Sequence, residues 1–167
     1  LSLAALHSKR FAPWLASQLQ DGPHPRNRLV LQFYEADLQA APDSLPDFCA
    51  AISELQMTLA IRHFSASDDS FPLLSRFPFT QVTLDPARLG NLEADQGQFA
   101  ALEALIKQLH AQHIKVAAGQ VTSLKPLPLL WQAGVDFIQG RGLQAAQSRP
   151  ILRCVCERVF AGPEATN

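Results

Sequence analysis

Few residues of this chain have the types and spacing that chemistry requires. The sequence contains no glycine-rich phosphate loop, no G-x-S-x-G nucleophile elbow and no H-E-x-x-H metal motif. His110 and His113 have the i, i+3 spacing of one helix face, and we interpret them as a polar helix end rather than a metal site. Cys154 and Cys156 form a C-x-C pair without the second pair typical of a structural zinc site. These patterns favour neither a nucleophilic enzyme nor a zinc protein.

More informative are the polar side chains at the carboxyl ends of five predicted strands. In parallel α/β folds these ends meet at one edge, where ligands bind. The edge carries Gln32 and Glu35, Arg62 and His63, Thr83 and Asp85, Ala118 and Gln120, and Gln139 and Gly140. Few of these are carboxylates, whereas a two-metal hydrolase needs several negatively charged oxygen ligands. We therefore expect no metal ion at this edge, and we interpret Asp85 as the cap of the turn that follows at Pro86.

The strands that position these residues are short β-branched or apolar runs, predicted over residues 28–33, 59–64, 81–85, 115–119 and 136–140. Apolar residues at i, i+3, i+4 and i+7 predict a helix that begins at Ser44, with Pro46 in its first turn. Further helices are predicted over 11–19, 99–109, 124–133 and 152–160. Strands that alternate with helices indicate right-handed βαβ units and a parallel sheet. The sequence therefore predicts an α/β fold.

Two α/β architectures fit this pattern, a five-stranded doubly wound sheet and part of a (β/α)8 barrel. The chain has 167 residues, and a whole barrel typically needs about 250. A flavodoxin-like domain needs a phosphate-binding first loop, but no glycine closely follows Phe33. Runs 30–33 and 116–118 are apolar on both faces, which predicts helices on one side and packed side chains on the other.

The overall charge excludes two classes of partner. The chain has 14 basic and 15 acidic residues and a formal net charge of −1, so no basic field would attract nucleic acid or an anionic membrane surface. Its longest apolar stretches, such as 127–131, are far shorter than the roughly 20 residues that span a bilayer. Three cysteines, an odd number, indicate a reducing cytoplasm. The start has neither Met nor a signal peptide, so we expect a fragment of a longer protein.

Five segments, in this order, resemble the EAL domain family: 31–35 (LQFYE), 59–67 (LAIRHFSAS), 82–85 (VTLD), 117–122 (AAGQVT) and 133–140 (AGVDFIQG). Active members of that family are cyclic di-GMP phosphodiesterases that use a divalent metal ion on a modified (β/α)8 barrel. The resemblance implies the C-terminal portion of such a barrel, with about five parallel strands and covering helices. It assigns residues 1–161 to a partial EAL domain and 162–167 to a tail.

The resemblance also implies that the catalytic residues of the family are replaced. Gln32 stands where the E-x-x-E motif has a metal-ligand carboxylate, while Glu35 keeps the carboxylate that anchors a loop. Arg62 and the histidine after it stand where D-D-F-G-T-G has two metal-ligand aspartates. Thr83 replaces the lysine of K-I-D, and the A-E-G-V-E motif, which falls on 117–121, loses a further ligand. Without these ligands no metal-activated water is available, so the sequence predicts a degenerate domain that is not an enzyme.

Non-catalytic EAL domains are receptors or docking modules. The sequence of this chain is most similar to the FimX type, which senses cyclic di-GMP in type IV pilus and twitching control. The resemblance implies a cyclic di-GMP receptor that needs neither metal nor cofactor. Arg62 or Arg141 would contact phosphate, and Gln139 with the Gly140 backbone would bind a guanine. The predicted ligand-binding residues are Gln32, Arg62, Gly119, Gln139, Gly140 and Arg141.

The partners implied by the resemblance are GGDEF-like or sensory domains upstream and a PilZ-type protein. An open barrel edge also predicts either an upstream segment or a dimer that covers it. The alternative function is a docking module that recognises a protein and no nucleotide. Its candidate surface is the apolar residues at 71–74 and 77–79, although we favour the interpretation that these residues pack a helix onto the sheet.

Overall fold

The structure is a computed structural model that describes residues 1–20, 29–55, 57–90, 92, 95–141 and 143. The predicted helix over 152–160, with Cys154 and Cys156, and the predicted tail lie outside these residues. The chain divides into two compact units, Leu1–Thr83 and the part from Leu84 onward.

Helices and strands alternate along the first unit. Its elements are α1 (Leu3–His7), α2 (Phe11–Gln20), β1 (Val30–Tyr34), α3 (Glu35–Ala40), α4 (Leu45–Ser53), β2 (Thr58–Phe64), α5 (Ser70–Arg76) and β3 (Phe79–Leu84), which ends at the unit boundary. β1 pairs with β2 in parallel, from Val30 opposite Thr58 to Tyr34 opposite Arg62. β2 lies between β1 and β3. A flavodoxin-like sheet has its first strand inside the sheet, so this order argues against that alternative.

The two faces of β1 differ in their surroundings. Phe33 is buried, and its ring meets the ring of Phe48 on α4 edge-on at 5.2 Å. Side chains alternate along a strand, so Val30 and Tyr34 lie on the other face, where they are 42% and 43% exposed. The prediction that β1 is covered on both faces is therefore wrong, because only the face toward α4 is packed.

α4 forms where the apolar spacing predicts it. Pro46 lies in its first turn, where a missing backbone N–H costs nothing, and Phe48, Cys49 and Ile52 are buried on one face. Ser44 is the residue before the helix, as predicted, but its hydroxyl makes no capping hydrogen bond. Burial of the apolar face is thus what fixes α4 in place.

The second unit contains a 3₁₀ turn (Pro86–Leu89), α6 (Gln96–Ala111), β4 (Lys115–Ala118), α7 (Leu127–Gln132) and β5 (Phe137–Ile138). The Asp95 carboxylate accepts the backbone N–H of Gln98 at 3.0 Å and so caps α6. β4 and β5 are parallel, with Ala117 opposite Phe137. The core of this unit combines the buried face of α6 with β4 and α7: Leu102, Ile106, Leu109, Val116, Ala118 and Leu130.

All five strands form close to their predicted positions, but β5 has two residues instead of the predicted five. At its start, the Asp136 side chain rather than the backbone accepts the N–H of Val116, at 2.7 Å. α7 is also shorter than predicted. The short helices α1, α3 and α5 were not predicted, because five to seven residues are too few for a clear helical period. Within the described ranges no helix is long and apolar enough to cross a membrane.

Candidate functional site

A cleft of about 290 Å³ lies on the open face of β1 in the first unit. It is lined by Leu1, Val30, Leu31, Gln32, Tyr34 and Arg62. Two of the predicted ligand-binding residues, Gln32 and Arg62, are therefore brought together here. The parallel pairing of β1 with β2 causes this, because it sets Tyr34 directly opposite Arg62, two positions beyond Gln32.

Arg62 is a half-buried cation whose charge has no carboxylate partner among the described residues. Its guanidinium carbon lies 5.3 Å from the centre of the Tyr34 ring, a cation–π contact. Within the same part of the chain, neither the Arg62 N–H groups nor the Gln32 side-chain amide makes a hydrogen bond. A partly desolvated guanidinium with open donors is suited to an anionic ligand, phosphate above all.

Tyr34 is the residue of this cleft that the sequence reasoning missed. It is 43% exposed and is the last residue of β1, directly before α3. The His63 ring meets it edge-on at 5.2 Å, and His63 itself has a φ of 55°, a left-handed conformation that is uncommon outside glycine. The signal in the sequence is its position, two residues after Gln32, which places both side chains on one face of the strand.

Glu35 lies under the loop that follows β2. It is only 5% exposed, and its Oε2 accepts the backbone N–H of Ser65 at 2.9 Å. Its other oxygen, Oε1, is buried without a hydrogen-bond partner in the described part of the chain. The hydroxyls of Ser65, Ser67 and Ser70 lie within 2.9–3.3 Å of one another and tie the loop together. The expectation that Glu35 anchors a loop is confirmed.

The second unit has its own cleft, of about 330 Å³, at the end of β4. Among its lining residues are Gly119, Gln120, Thr122, Ser123 and Lys125. Gly119 is thus the predicted residue that lies here, and it is buried. Gln120 has a φ of 59°, so the chain turns sharply at this point. The lining combines apolar side chains, such as those of Leu89 and Leu92, with hydroxyl and amide groups and one lysine, a mixture typical of a small-molecule site.

Gln139, Gly140 and Arg141 line neither of these two clefts. Gln139 donates its N–H to Ala118 O at 2.9 Å, and its own carbonyl accepts the N–H of Val121 at 3.0 Å. Gly140 lies against the Val121 backbone so closely that a Cβ atom would overlap the N, C and O atoms of that residue. Arg141 is exposed. Through these contacts, Gln139 and Gly140 hold the loop after β4 in place.

Asp85 and His110, which we interpret from the sequence as structural residues, make hydrogen bonds within the second unit. The Asp85 carboxylate accepts the N–H of Ala87 at 2.8 Å, so the prediction that it caps the turn at Pro86 is confirmed. His110 Nε2 lies 2.9 Å from Asp136 Oδ2, at the end of α6. Asp136 also accepts the Val116 N–H, so this pair joins α6 to the starts of β4 and β5.

The side chains at the strand ends do not fit a divalent metal ion. No group of three or more His, Cys, Asp or Glu side chains in the described ranges could hold one. Instead, the cleft of β1 presents an amide and a guanidinium, and a cation repels a cation. Glu35, the nearest carboxylate in sequence, is engaged with the Ser65 N–H.

A model of the EAL domain family matches residues 1–146. The chain belongs to the EAL domain family. Among solved structures it is similar to the FimX EAL domain of Pseudomonas aeruginosa bound to c-di-GMP, with 30% identity and a TM-score of 0.80 over 86% of this chain. A second similar structure is the Xanthomonas citri FimX EAL domain in complex with c-di-GMP, with 22% identity and a TM-score of 0.80 over 87% of this chain. The predicted α/β fold of five strands with covering helices is confirmed.

This EAL chain spans only part of each relative. It covers 59% of the Pseudomonas FimX chain and 57% of the Xanthomonas one. It is also 24% identical over 113 residues to the blue light- and temperature-regulated antirepressor BluF of Escherichia coli K12. The matched residues make up 68% of this chain and 28% of BluF. The similarity therefore covers somewhat more than half of each FimX EAL domain chain and about a quarter of BluF.

The apolar surface suggested for the docking alternative is mostly interior. Leu73, Leu74 and Phe79 are each less than 10% exposed, and the Phe71 ring packs edge-on against buried Phe64 at 5.8 Å. Helix packing therefore explains these residues. Nothing in this segment favours a docking module over a nucleotide-binding one.

Proposed function

We propose that this chain is a cyclic di-GMP receptor of the EAL family that binds its ligand without metal and does not hydrolyse it. The observation that carries the proposal is the Arg62 guanidinium, which stands in a cleft without a carboxylate partner among the described residues. Resemblance to the family places a metal-ligand aspartate at this position. A cation in the protein thus stands where active members recruit a cation from solution.

The charge of the cleft supports both parts of this proposal, namely that the ligand is bound without metal and that it is not hydrolysed. A bound metal ion neutralises phosphate and generates a nucleophile from water, whereas arginine can do only the first. Arg62 can therefore hold a phosphate of the ligand, and Gln32 can donate its amide N–H to the same group or to the ribose. Among the described residues that line this cleft there is no carboxylate or histidine that could activate water, which supports binding without turnover.

The second unit holds the other predicted ligand-binding residues. Gly119, at the end of β4, lies in a cleft whose hydroxyl and amide groups can bind the polar edge of a guanine. Gln139 has an exposed side chain on a backbone that is fixed at both its N–H and its carbonyl. Arg141 follows as a second exposed cation. These residues would recognise base and phosphate from positions that the β4–β5 pairing holds.

The finer parts of the proposal follow from similarity to FimX. The Pseudomonas and Xanthomonas FimX EAL domains were both solved with c-di-GMP. By this likeness we place the chain in second-messenger signalling, with a role in type IV pilus and twitching control in the cytoplasm. GGDEF-like or sensory domains and a PilZ-type partner complete the same proposal.

Calorimetric titration with cyclic di-GMP tests the proposal, in one buffer with a chelator and in another with Mg²⁺. The expected result is saturable binding with the same Kd in both, and no linear product after prolonged incubation with Mg²⁺ or Mn²⁺. Arg62→Gln should weaken binding at least tenfold, since a charge-assisted hydrogen bond contributes about 1.5–3 kcal/mol. Arg76→Gln is the matched control, because Arg76 also lies over an aromatic ring, that of Phe77, at 5.5 Å, but outside the cleft.

Three results would contradict the proposal. Binding that disappears with the chelator would mean that metal is required. Formation of linear product would mean that the domain is an enzyme. An absence of binding in both buffers would favour the docking alternative, in which the chain recognises a protein and no nucleotide.

A further inference from the structure

The cleft on β1 has the size and the chemistry of a site for one nucleotide rather than two. Its volume of about 290 Å³ is at the lower end of the range of about 300–1,000 Å³ for small-molecule sites. Cyclic di-GMP consists of two identical guanylate halves. A cleft of this size matches one half, which consists of a planar base, a sugar and a phosphate.

The residues that line the cleft form two groups, one for a base and one for a phosphate. Tyr34 offers an aromatic ring that is 43% exposed, next to the apolar side chain of Val30, which is 42% exposed. Arg62 and Gln32 offer polar donors that have no hydrogen-bond partner among the described residues. The cleft thus has an aromatic and apolar part for a flat ring and a cationic part for an anion. The Arg62 guanidinium carbon lies 5.3 Å from the centre of the Tyr34 ring, and the His63 ring meets it edge-on at 5.2 Å.

The phosphate group of a mononucleotide suits a single arginine. A phosphomonoester carries about −1.5 to −2 charges at pH 7, more than the single charge of a phosphodiester. Its three terminal oxygens can also accept bidentate hydrogen bonds from a guanidinium. Arg62 could therefore hold the terminal phosphate of one nucleotide without help from a second site.

We infer that this cleft is a half-site for one guanylate, in which Tyr34 stacks on the purine and Arg62 binds the phosphate. A nucleotide with a terminal 5′-phosphate, such as 5′-GMP, is then a ligand in its own right and competes with cyclic di-GMP. Stacking on tyrosine tolerates any purine, so the choice of guanine rests on the proposed function. Tyr34 becomes a ligand-binding residue that the family motif does not specify.

Calorimetric titrations in chelator test this inference with three probes: 5′-GMP, 5′-AMP and ribose 5-phosphate, which lacks the base. The wild-type chain should bind both nucleotides more tightly than ribose 5-phosphate. Tyr34→Ala should weaken nucleotide binding about 5- to 150-fold, the range for loss of one base–aromatic stack, and leave ribose 5-phosphate unchanged. Tyr34→Phe keeps the ring and should bind within about threefold of wild type. Arg62→Gln should weaken all three probes, and Arg76→Gln none of them.

Specific results would overturn the inference. If ribose 5-phosphate binds as tightly as the nucleotides, the cleft recognises an anion and no base. If Tyr34→Ala binds 5′-GMP like the wild type, with an unchanged far-UV spectrum and Tm, the ring is not in the site. Cyclic di-GMP titrated into the same samples separates the two proposals. Binding of 5′-GMP without binding of cyclic di-GMP supports the half-site and contradicts the receptor. Binding of cyclic di-GMP that 5′-GMP does not displace supports the receptor and contradicts the half-site.

Discussion

Gly140→Ala tests whether the loop after β4 depends on a close backbone contact. A Cβ atom at this position would overlap the N, C and O atoms of Val121. These are backbone atoms, so no rotamer change can relieve the overlap, and the chain itself must move. Overpacking costs typically 1–3 kcal/mol, and the movement also breaks the 3.0 Å hydrogen bond from the Val121 N–H to the Gln139 carbonyl, which contributes about 1 kcal/mol. We expect a loss of about 2–4 kcal/mol in the free energy of unfolding.

Urea denaturation, followed by tryptophan fluorescence and far-UV circular dichroism, measures this loss as a lower midpoint at unchanged slope. Gly97→Ala is the matched control. Gly97 lies in the first turn of α6, where an added Cβ atom meets the Asp95 Oδ1 atom that caps the helix, at 3.2 Å. Because the gain in helix propensity opposes the small shift of this cap, the control should change stability by no more than about 1 kcal/mol in either direction. If Gly140→Ala unfolds within 0.5 kcal/mol of the wild type, the close contact does not hold the loop.

Three further changes have defined outcomes. Glu35→Ala removes the buried acceptor of a loop N–H and should cost about 1–3 kcal/mol in urea, whereas Glu35→Gln, which keeps an acceptor, should cost less. Asp136→Ala leaves the Val116 N–H without its acceptor and should cost more than His110→Ala, whose exposed ion pair contributes less than about 1 kcal/mol; an equal loss would contradict this ranking. Burial raises the pKa of the Cys49 thiol from 9.0 to about 11, so the folded state keeps its proton where the unfolded state loses it. Stability should fall by about 2 kcal/mol from pH 9 to 11, and Cys49→Ala should remove that part of the slope in alkaline urea titrations.

Sequence patterns located the strands well because each strand is a short apolar run between turn residues. They placed Gln32 and Arg62 at neighbouring strand ends, and the β1–β2 register brings both into one cleft. Prediction was weaker where a contact joins distant residues. Asp136 pairs with a backbone N–H twenty residues away, and no local pattern encodes that distance.

Tyr34 illustrates a different limit. A tyrosine at the end of an apolar strand is usually part of the core, and its neighbour Phe33 does lie there, at 1% exposure. Only the tertiary packing reveals the open face: Phe33 packs against Phe48 of α4, whereas Val30 and Tyr34 on the other face are 42% and 43% exposed. Exposure of an aromatic residue is a property of that tertiary arrangement. It could not be inferred from residues 30–34 alone.

The scaffold and the chemistry of this cleft depend on different parts of the chain. Tyr34 and Arg62 are opposite each other because main-chain hydrogen bonds pair β1 with β2, and this pairing does not depend on either side chain. Exchange of a carboxylate for a guanidinium at position 62 therefore leaves the frame intact but reverses the charge that meets a ligand. Because the positions lie on strands and not on loops, the new group is held as firmly as the old one. On the proposed function, a phosphate-binding cleft would occupy the position where the family motif places a metal ligand, on the same strand frame.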